Sequence, residues 1–403
     1  MKRELRLPDD RGPLRVMFVL TSMPVGGAET LLVNLIRGLD SSRFHAEVCC
    51  LKQPGPLGEE LSAEFPVHSG LLSGKYDVRV LGRLTRLFRD RQSDAVVTVG
   101  AGDKMFWGRL AARRMKLPVV ISALHSTGWP DSIGRLNRCL TSVTDAFVGV
   151  AQAHGQHLVE REGFPTEKVC VIPNGIDVQR FVPPDETKSS LRRRLGLPPE
   201  PPLIGIVAAL RPEKNHVVFL RAAAHALRHS TNSQFIVVGD GPERVSLETL
   251  AGELGIVDRV HFVGTRSDID RILAACDVFA LTSDNEAAPV SILEAMATGL
   301  PVVATRVGSV AEMVHHGRSG LLAEPRAVEQ IGDHFATLLS QQALRLEYGQ
   351  VGREWVVQHG SLEQMVAGYE RLIERIYSTK VGQVSTPTLA SPGISEPLST
   401  SPR

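Results

Sequence analysis

From Ala275 to Thr305 the chain reads ACDVFALTSDNEAAPVSILEAMATGLPVVAT. Asp277 to Leu281 is a short apolar run suited to a buried parallel strand. Asp284 and Asn285 offer capping side chains, and Pro289 suits a first helical turn, where a missing N–H costs little. Val290 to Thr298 reads as a short helix and Pro301 to Ala304 as the start of the next strand. The unit is strand, loop, helix, strand, with the loop and the helix N-terminus opening at the carboxyl edge of a sheet. Between Glu286 and Arg306 the only ionisable side chain is Glu294, among residues that are nearly all apolar. A carboxylate in such surroundings is costly unless something hydrogen-bonds it. Two readings stand: Glu294 pairs with a backbone amide or a distant Arg, or it accepts from a ligand hydroxyl and lacks a full set of partners in the free protein. Glu286 is expected in an exposed loop at the mouth of the same cleft.

Glu286 and Glu294 are separated by seven residues and followed by Ala-Met-Ala-Thr-Gly-Leu-Pro-Val-Val-Ala. That arrangement resembles the donor-site signature of retaining glycosyltransferases of the family-4 type (glycosyl transferases group 1). These have two facing Rossmann-like domains, the GT-B fold. Ala287 and Ala288 depart from the family pattern, which has Gly or Ser and then Phe or Leu.

At 403 residues the chain has room for two domains of ordinary size. Apolar residues at 43% and charged residues at 22% describe a globular protein, and a net charge of +1 argues against a basic nucleic-acid binder. Five cysteines without CxxC spacing give no disulfide framework and suit a reducing compartment. No secretory h-region and no stretch of about 18 uncharged apolar residues is visible, so the expected location is cytoplasmic.

Leu14 to Leu20 reads as a buried strand, then Gly26-Gly27-Ala28-Glu29 opens a helix with Leu31, Leu32, Leu35, Ile36 and Leu39 at helical spacing. Two glycines there are either a plain turn or a place where backbone approaches an anion. Ala46 to Leu51, Asp94 to Val99, Pro118 to Leu124 and Asp145 to Val150 read as further strands. Helices are expected near Val78 to Arg91, Lys104 to Met115, Ile133 to Val143 and Ala153 to Glu162. This alternation predicts an α/β fold with a parallel sheet covered on both faces. His125 follows one strand at its carboxyl end, within Ala123-Leu124-His125-Ser126-Thr127-Gly128, where open α/β sheets place ligands.

Val171 to Asp177 reads as a strand ending in an Asn-Gly turn. Pro-Pro pairs around Arg192-Arg193-Arg194 mark an interdomain boundary near residue 183, with the three arginines as a solvated helix face. Leu203 to Leu210 opens the second domain and leads to Arg211 and Lys214, with Asn215 as a helix cap; these two cations make either an anion site or a solvated loop. Gly239-Asp240-Gly241-Pro242 follows the next strand, but Arg244 occupies the third glycine of a dinucleotide fingerprint. Val260 to Gly264 is another strand, and Gly320 to Leu322 a short closing one. Helices are expected near Ala327 to Leu339, Ala343 to Gln358 and Leu362 to Tyr377, and Val381 to Arg403 is Ser-, Thr- and Pro-rich.

The resemblance spans about residues 14 to 378. It implies an acceptor-side Rossmann-like domain at 14–183, a donor domain at 184–360 and a crossover helix at 361–378; outside it, 1–13 reads as a flexible N-terminus and 379–403, from its composition, as a disordered tail. It further implies that Arg211 and Lys214 neutralise the leaving diphosphate, with N–H groups near Gly26, Gly27, Pro289 and Val290. Glu294 would hold the ribose, Glu286 and His125 the donor sugar, and Gly264, Thr265 and Arg266 the base. The donor is a nucleotide-diphosphate sugar, UDP-linked first and GDP-mannose second, and it is a substrate; no cofactor and no metal are expected. The acceptor is a glycan, a lipid-linked molecule or a small molecule of envelope synthesis. A GT-B epimerase or phosphorylase and a non-catalytic nucleotide-sugar binder are the rival readings. Last, Lys75 to Arg91 carries six cations against Asp77 and Asp90. With Val80, Leu84 and Leu87 on one face, that helix could touch an anionic membrane or simply pack on the sheet.

Overall fold

Apolar strand runs alternating with helices build two parallel sheets. The computed structural model describes residues 12–74, 77–100, 102–125, 137–229 and 232–381. Residues 1–11, Lys75, Ser126, Thr127, Gly128, the helix start expected at Ile133 and the tail beyond 381 lie outside the described residues. The first sheet holds β1 (Leu14–Leu20), β2 (Phe44–Cys50), β3 (Val67–His68), β4 (Ala95–Val99), β5 (Val119–Ala123), β6 (Ala146–Gly149) and β7 (Val169–Val171). Their spatial order is β3-β2-β1-β4-β5-β6-β7. The second holds β8 (Leu203–Val207), β9 (Gln234–Val238), β10 (Val260–Gly264), β11 (Val278–Leu281), β12 (Val302–Thr305) and β13 (Gly320–Ala323), in the order β10-β9-β8-β11-β12-β13. β3 is only two residues long and half-buried, so no apolar run announces it.

Strand alternation feeds two core layers per sheet. Val16, Phe18 and Leu20 enter one layer of the first sheet, Met17 and Val19 the other. In the second sheet Ile204 and Ile206 join one layer, Leu203 and Ile236 the opposite one. Each fully buried Leu, Ile or Phe contributes about 1.5–3 kcal/mol. These are doubly covered parallel sheets, which is why the strands read as continuous apolar runs.

The chain crosses between the sheets twice, and the crossings are tied together. Ile176 N donates to Gly360 O and Leu362 N to Ile176 O, each at 2.9 Å. The helix Leu362–Val381 then places Met365, Val366, Tyr369, Leu372, Ile373 and Tyr377 in the core of the first sheet.

One surface expectation is corrected, and the basic helix follows the reading in which it packs on the sheet. Arg192 is buried, its guanidinium donating to Ala275 O at 2.9 Å, Pro201 O at 2.7 Å and Asp277 Oδ2 at 2.5 Å. Asp277 also accepts from Lys188 and from Leu203 N, so this cluster locks the start of β8 to the start of β11. On the helix Val80–Asp90 the buried stripe is Val80, Leu84, Thr85 and Phe88, with Leu87 only half-buried. It packs against the first sheet's second layer. Arg79 and Arg83 pair with Asp77, and Arg91 with the buried Glu47.

In each sheet the strand order reverses beside the first strand, between β1 and β4 and between β8 and β11. Open α/β sheets bind ligands in the crevice outside the carboxyl ends of such strands. The loops and first helical turns after these four strands carry Gly26 and Gly27, Lys104, Arg211 and Lys214, and Glu286.

Candidate active site

After β8 the chain makes a single 3-10 turn, Pro212–Lys214, and Asn215 takes a left-handed conformation with φ of 48°. Asn215 stands at the cap position of the helix His216–Ala226 but does not cap it with its side chain. Its Nδ2 donates instead to Asp284 Oδ1 at 3.0 Å, while Thr282 Oγ1 donates to Asn215 O and Asp284 N to Glu213 O. The loops after β8 and β11 are thereby stitched into one surface. Asp284 is committed to Asn215 and Arg326, and the residue at the N-cap of the helix Val290–Ala297 is Pro289, which makes no side-chain cap bond. Pro289 lies just before that helix, extended at ψ 119°, and the first amides of a helix have no partners within it.

Glu286 is not an exposed loop residue. It is 7% exposed and accepts from Lys214 Nζ at 2.6 Å and Ser283 Oγ at 2.6 Å. The loop closes around it because Thr305 Oγ1 donates to Ser283 O, Ser309 Oγ to Ala287 O, and Gly308 lies directly on the Glu286 carbonyl. Gly308 has φ of +50°, and a Cβ there would run into that carbonyl oxygen. Arg211 remains exposed at the rim, whereas Lys214 is held to Glu286.

Glu294 keeps some exposed surface, yet its carboxyl has no hydrogen-bond partner among the described residues. Burial pushes its pKa up to about 7 against the pull of Arg180, with Asp270 adding to the rise. Arg180 is thus near enough to pull on the Glu294 carboxyl while its own hydrogen bonds go to Ser267 and Asp270. Gly264 has φ of +69° and gives its carbonyl to Gly239 N at 2.9 Å; Thr265 and Arg266 beside it are exposed, with Arg266 paired to Asp268.

The first domain supplies the opposite wall. Gly26 and Gly27 start the helix Gly27–Gly38, which has no side-chain cap, and a Cβ on Gly27 would lie 3.5 Å from Val290 across the cleft. Two helix N-termini thus approach each other, a geometry that favours an anion between them. Glu29 folds back so that its Oε2 lies 2.6 Å from where a Gly26 Cβ would be. Burial raises its pKa, while its own amide, Lys104 and Arg211 pull the other way. His125, just past β5, lines a small cavity with Ala123, Phe18 and Tyr369, and its buried Nδ1 has no hydrogen-bond partner among the described residues. Burial, then His154 and Lys104, lower its pKa to about 4, so the ring is neutral near pH 7.

The structure brings Lys214 to Glu286 and Gly27 to Val290, and it places Gly264, Thr265 and Arg266 after β10. Sequence reading missed Glu29, Lys104, Ser283 and Asn174, whose Nδ2 donates to Ala288 O at 2.9 Å across the domain boundary. For Lys104 the signal was position, soon after a central strand at its carboxyl edge.

Comparison with known proteins decides the family. The family described as Glycosyl transferases group 1 matches residues 187–355, and Glycosyltransferase Family 4 matches residues 25–180. The chain belongs to the family-4 type of GT-B glycosyltransferases. Among relatives of this glycosyltransferase, the Escherichia coli UDP-Gal:alpha-D-GlcNAc-diphosphoundecaprenol alpha-1,3-galactosyltransferase is 26% identical over 80% of this chain and 88% of that protein. The GDP-mannose-dependent alpha-(1-6)-phosphatidylinositol monomannoside mannosyltransferase of Mycobacterium tuberculosis (strain CDC 1551 / Oshkosh) is 30% identical over 58% of this chain and 63% of that one. The fold of Anabaena Alr3699/HepE, solved with UDP and glucose, superposes with a TM-score of 0.80 at 22% identity, covering 90% of this glycosyltransferase and 99% of that chain.

Proposed function

We propose that this glycosyltransferase moves a sugar, with retention, from a nucleotide-diphosphate donor to a glycan, lipid-linked or small-molecule acceptor in envelope polysaccharide or glycoconjugate synthesis. A UDP-sugar is the first choice of donor and GDP-mannose the second. The observation that carries the reading is the ion pair of Lys214 with the buried Glu286, in the loop leading to the helix Val290–Ala297, whose first residue lies against Gly27 of the other domain.

In this scheme the diphosphate lies between the two helix N-termini, where Arg211 and Lys214 stabilise the charge that develops as the bond from the anomeric carbon to the phosphate oxygen breaks. The acceptor oxygen forms its bond on the face the diphosphate leaves, and its proton passes to the departing phosphate oxygen. Lys214 orients Glu286 as an acceptor for sugar hydroxyls. His125, neutral, offers a hydrogen bond without adding charge. Glu294 accepts from the ribose diol, and main-chain groups of Gly264, Thr265 and Arg266 border the base. Protein cations take the place a divalent metal would hold. The enzyme would act in the cytoplasm. Among the described residues no helix is long and apolar enough to cross a membrane. Contact with an anionic bilayer would rest on Arg86 and Arg89, the exposed cations of Val80–Asp90 outside the ion pairs.

The test is a panel of UDP-, GDP- and ADP-sugars with product anomers read by NMR. A product of inverted configuration, or donor consumption without transfer, would overturn the proposal.

A further inference from the structure

Glu312 belongs to the second domain, on the short helix Val310–Met313, yet its carboxylate binds the first domain. It accepts from Gln152 N at 2.9 Å and Ala153 N at 2.5 Å. These amides open the helix Gln152–Glu160, whose N-cap, Ala151, has no side chain able to accept from them. The first amides of a helix lack intrahelical partners and form its positive end. A carboxylate from the other domain therefore does the work of the missing cap.

Both ends of this contact lead into the active site. On the second-domain side, Glu312 N donates to Ser309 O at 3.0 Å, Ser309 Oγ holds Ala287 O, and the neighbouring Gly308 rests on Glu286. On the first-domain side, His154 stands in the turn that Glu312 caps, its Nδ1 accepting from Val150 N at 3.3 Å. His154 is close enough to His125 for the two rings to affect each other electrostatically. One carboxylate thus joins the loop that carries Glu286 to the turn beside His125.

We propose that Glu312 is a positioning residue that latches the two domains and sets the spacing between Glu286 and His125. The inference rests on the reading that those two residues face the donor sugar. Latching costs no extra helix cap in the closed form, and opening leaves the amides of Gln152 and Ala153 to water. An anionic side chain is required because it meets a helix N-terminus, so the amide of Gln would hold the latch only in part.

The experiment compares Glu312→Ala and Glu312→Gln with the parent enzyme. Interdomain distance is read by paired dye labels on the two domains, beside kcat, UDP affinity and a thermal melt. We expect Glu312→Ala to broaden and lengthen the distance distribution and to lower kcat by about tenfold, the scale of one helix-terminus charge contact. UDP affinity should change much less than kcat, and Glu312→Gln should fall between the two. An unchanged distance distribution in Glu312→Ala overturns the latch, whether or not its melting temperature falls. Wild-type turnover in Glu312→Ala overturns the positioning role. If the parent enzyme transfers no sugar from any donor, the reading of the active site fails, while the distance measurement still decides the latch.

Discussion

Lys214 Nζ lies 2.6 Å from Oε1 of Glu286, and the carboxylate is almost wholly buried. Removing one member of such a pair leaves the other charge uncompensated, at about 3–5 kcal/mol for a fully buried pair. Lys214→Ala is therefore expected to lower both the melting temperature and turnover. The double variant Lys214→Met with Glu286→Gln should recover the melting temperature while turnover stays low. Recovery of both would reduce the pair to a structural feature.

Arg211 is exposed and carries no such structural duty. Arg211→Ala should fold normally and lose about 100- to 1,000-fold in turnover, corresponding to ~2.7–4 kcal/mol for one contact to developing charge. Turnover should persist in excess chelator, because Arg211, Lys214 and the helix amides supply the positive charge. Steady-state assays with and without chelator check both statements, and complete inhibition by chelator would reject the second.

The raised pKa of Glu294, about 7, has a definite sign. The folded state retains a proton that the unfolded chain gives up near the ordinary carboxyl pKa. Stability from this group is complete below that ordinary value and is lost as pH rises to about 7. Ribose hydroxyls bind the ionised form better, so nucleotide affinity should rise over the same interval and binding should release protons. Glu294→Gln should weaken binding and flatten its pH dependence. Calorimetry in buffers of different ionisation enthalpy reads the proton count directly.

In and beside the basic helix Val80–Asp90, three of the six cations seen in sequence, Arg79, Arg83 and Arg91, are already paired. Binding to anionic liposomes at low salt should therefore be weak, falling in Arg86→Glu and Arg89→Glu variants. Sedimentation with anionic and neutral liposomes checks it, and equal negligible binding to both would remove the membrane from the proposal.

The central strands were legible because they are apolar runs buried on both faces, as in LRVMFVL of β1 and LIGIV of β8, whereas the two-residue β3 was not. The sites after β8 and β11 were legible as positions but not as contacts. Glu286 looked exposed because its burial is made by Lys214, far back in sequence, and by Gly308 beyond the next strand. Arg192 looked solvated because its partner Asp277 is equally distant along the chain. Asn215 and Asp284 each look like helix caps locally, and their mutual hydrogen bond removes both from that role. Local pattern names the element; partners in other loops decide what a polar side chain does.

The helix Leu362–Val381 has a consequence for how the molecule is made. Six of its side chains complete the core of the sheet that begins at Leu14, so that half of the protein is assembled from both ends of the chain. During synthesis the first sheet emerges early but waits, with an open apolar face, until the second domain has been translated and the last helix arrives. Chains normally fold domain by domain from the N-terminus. Here the second domain, encoded within one uninterrupted stretch, can close first, and the earlier-made half docks its final helix last. A chain truncated after residue 360 should keep a folded second domain and leave the first domain susceptible to protease.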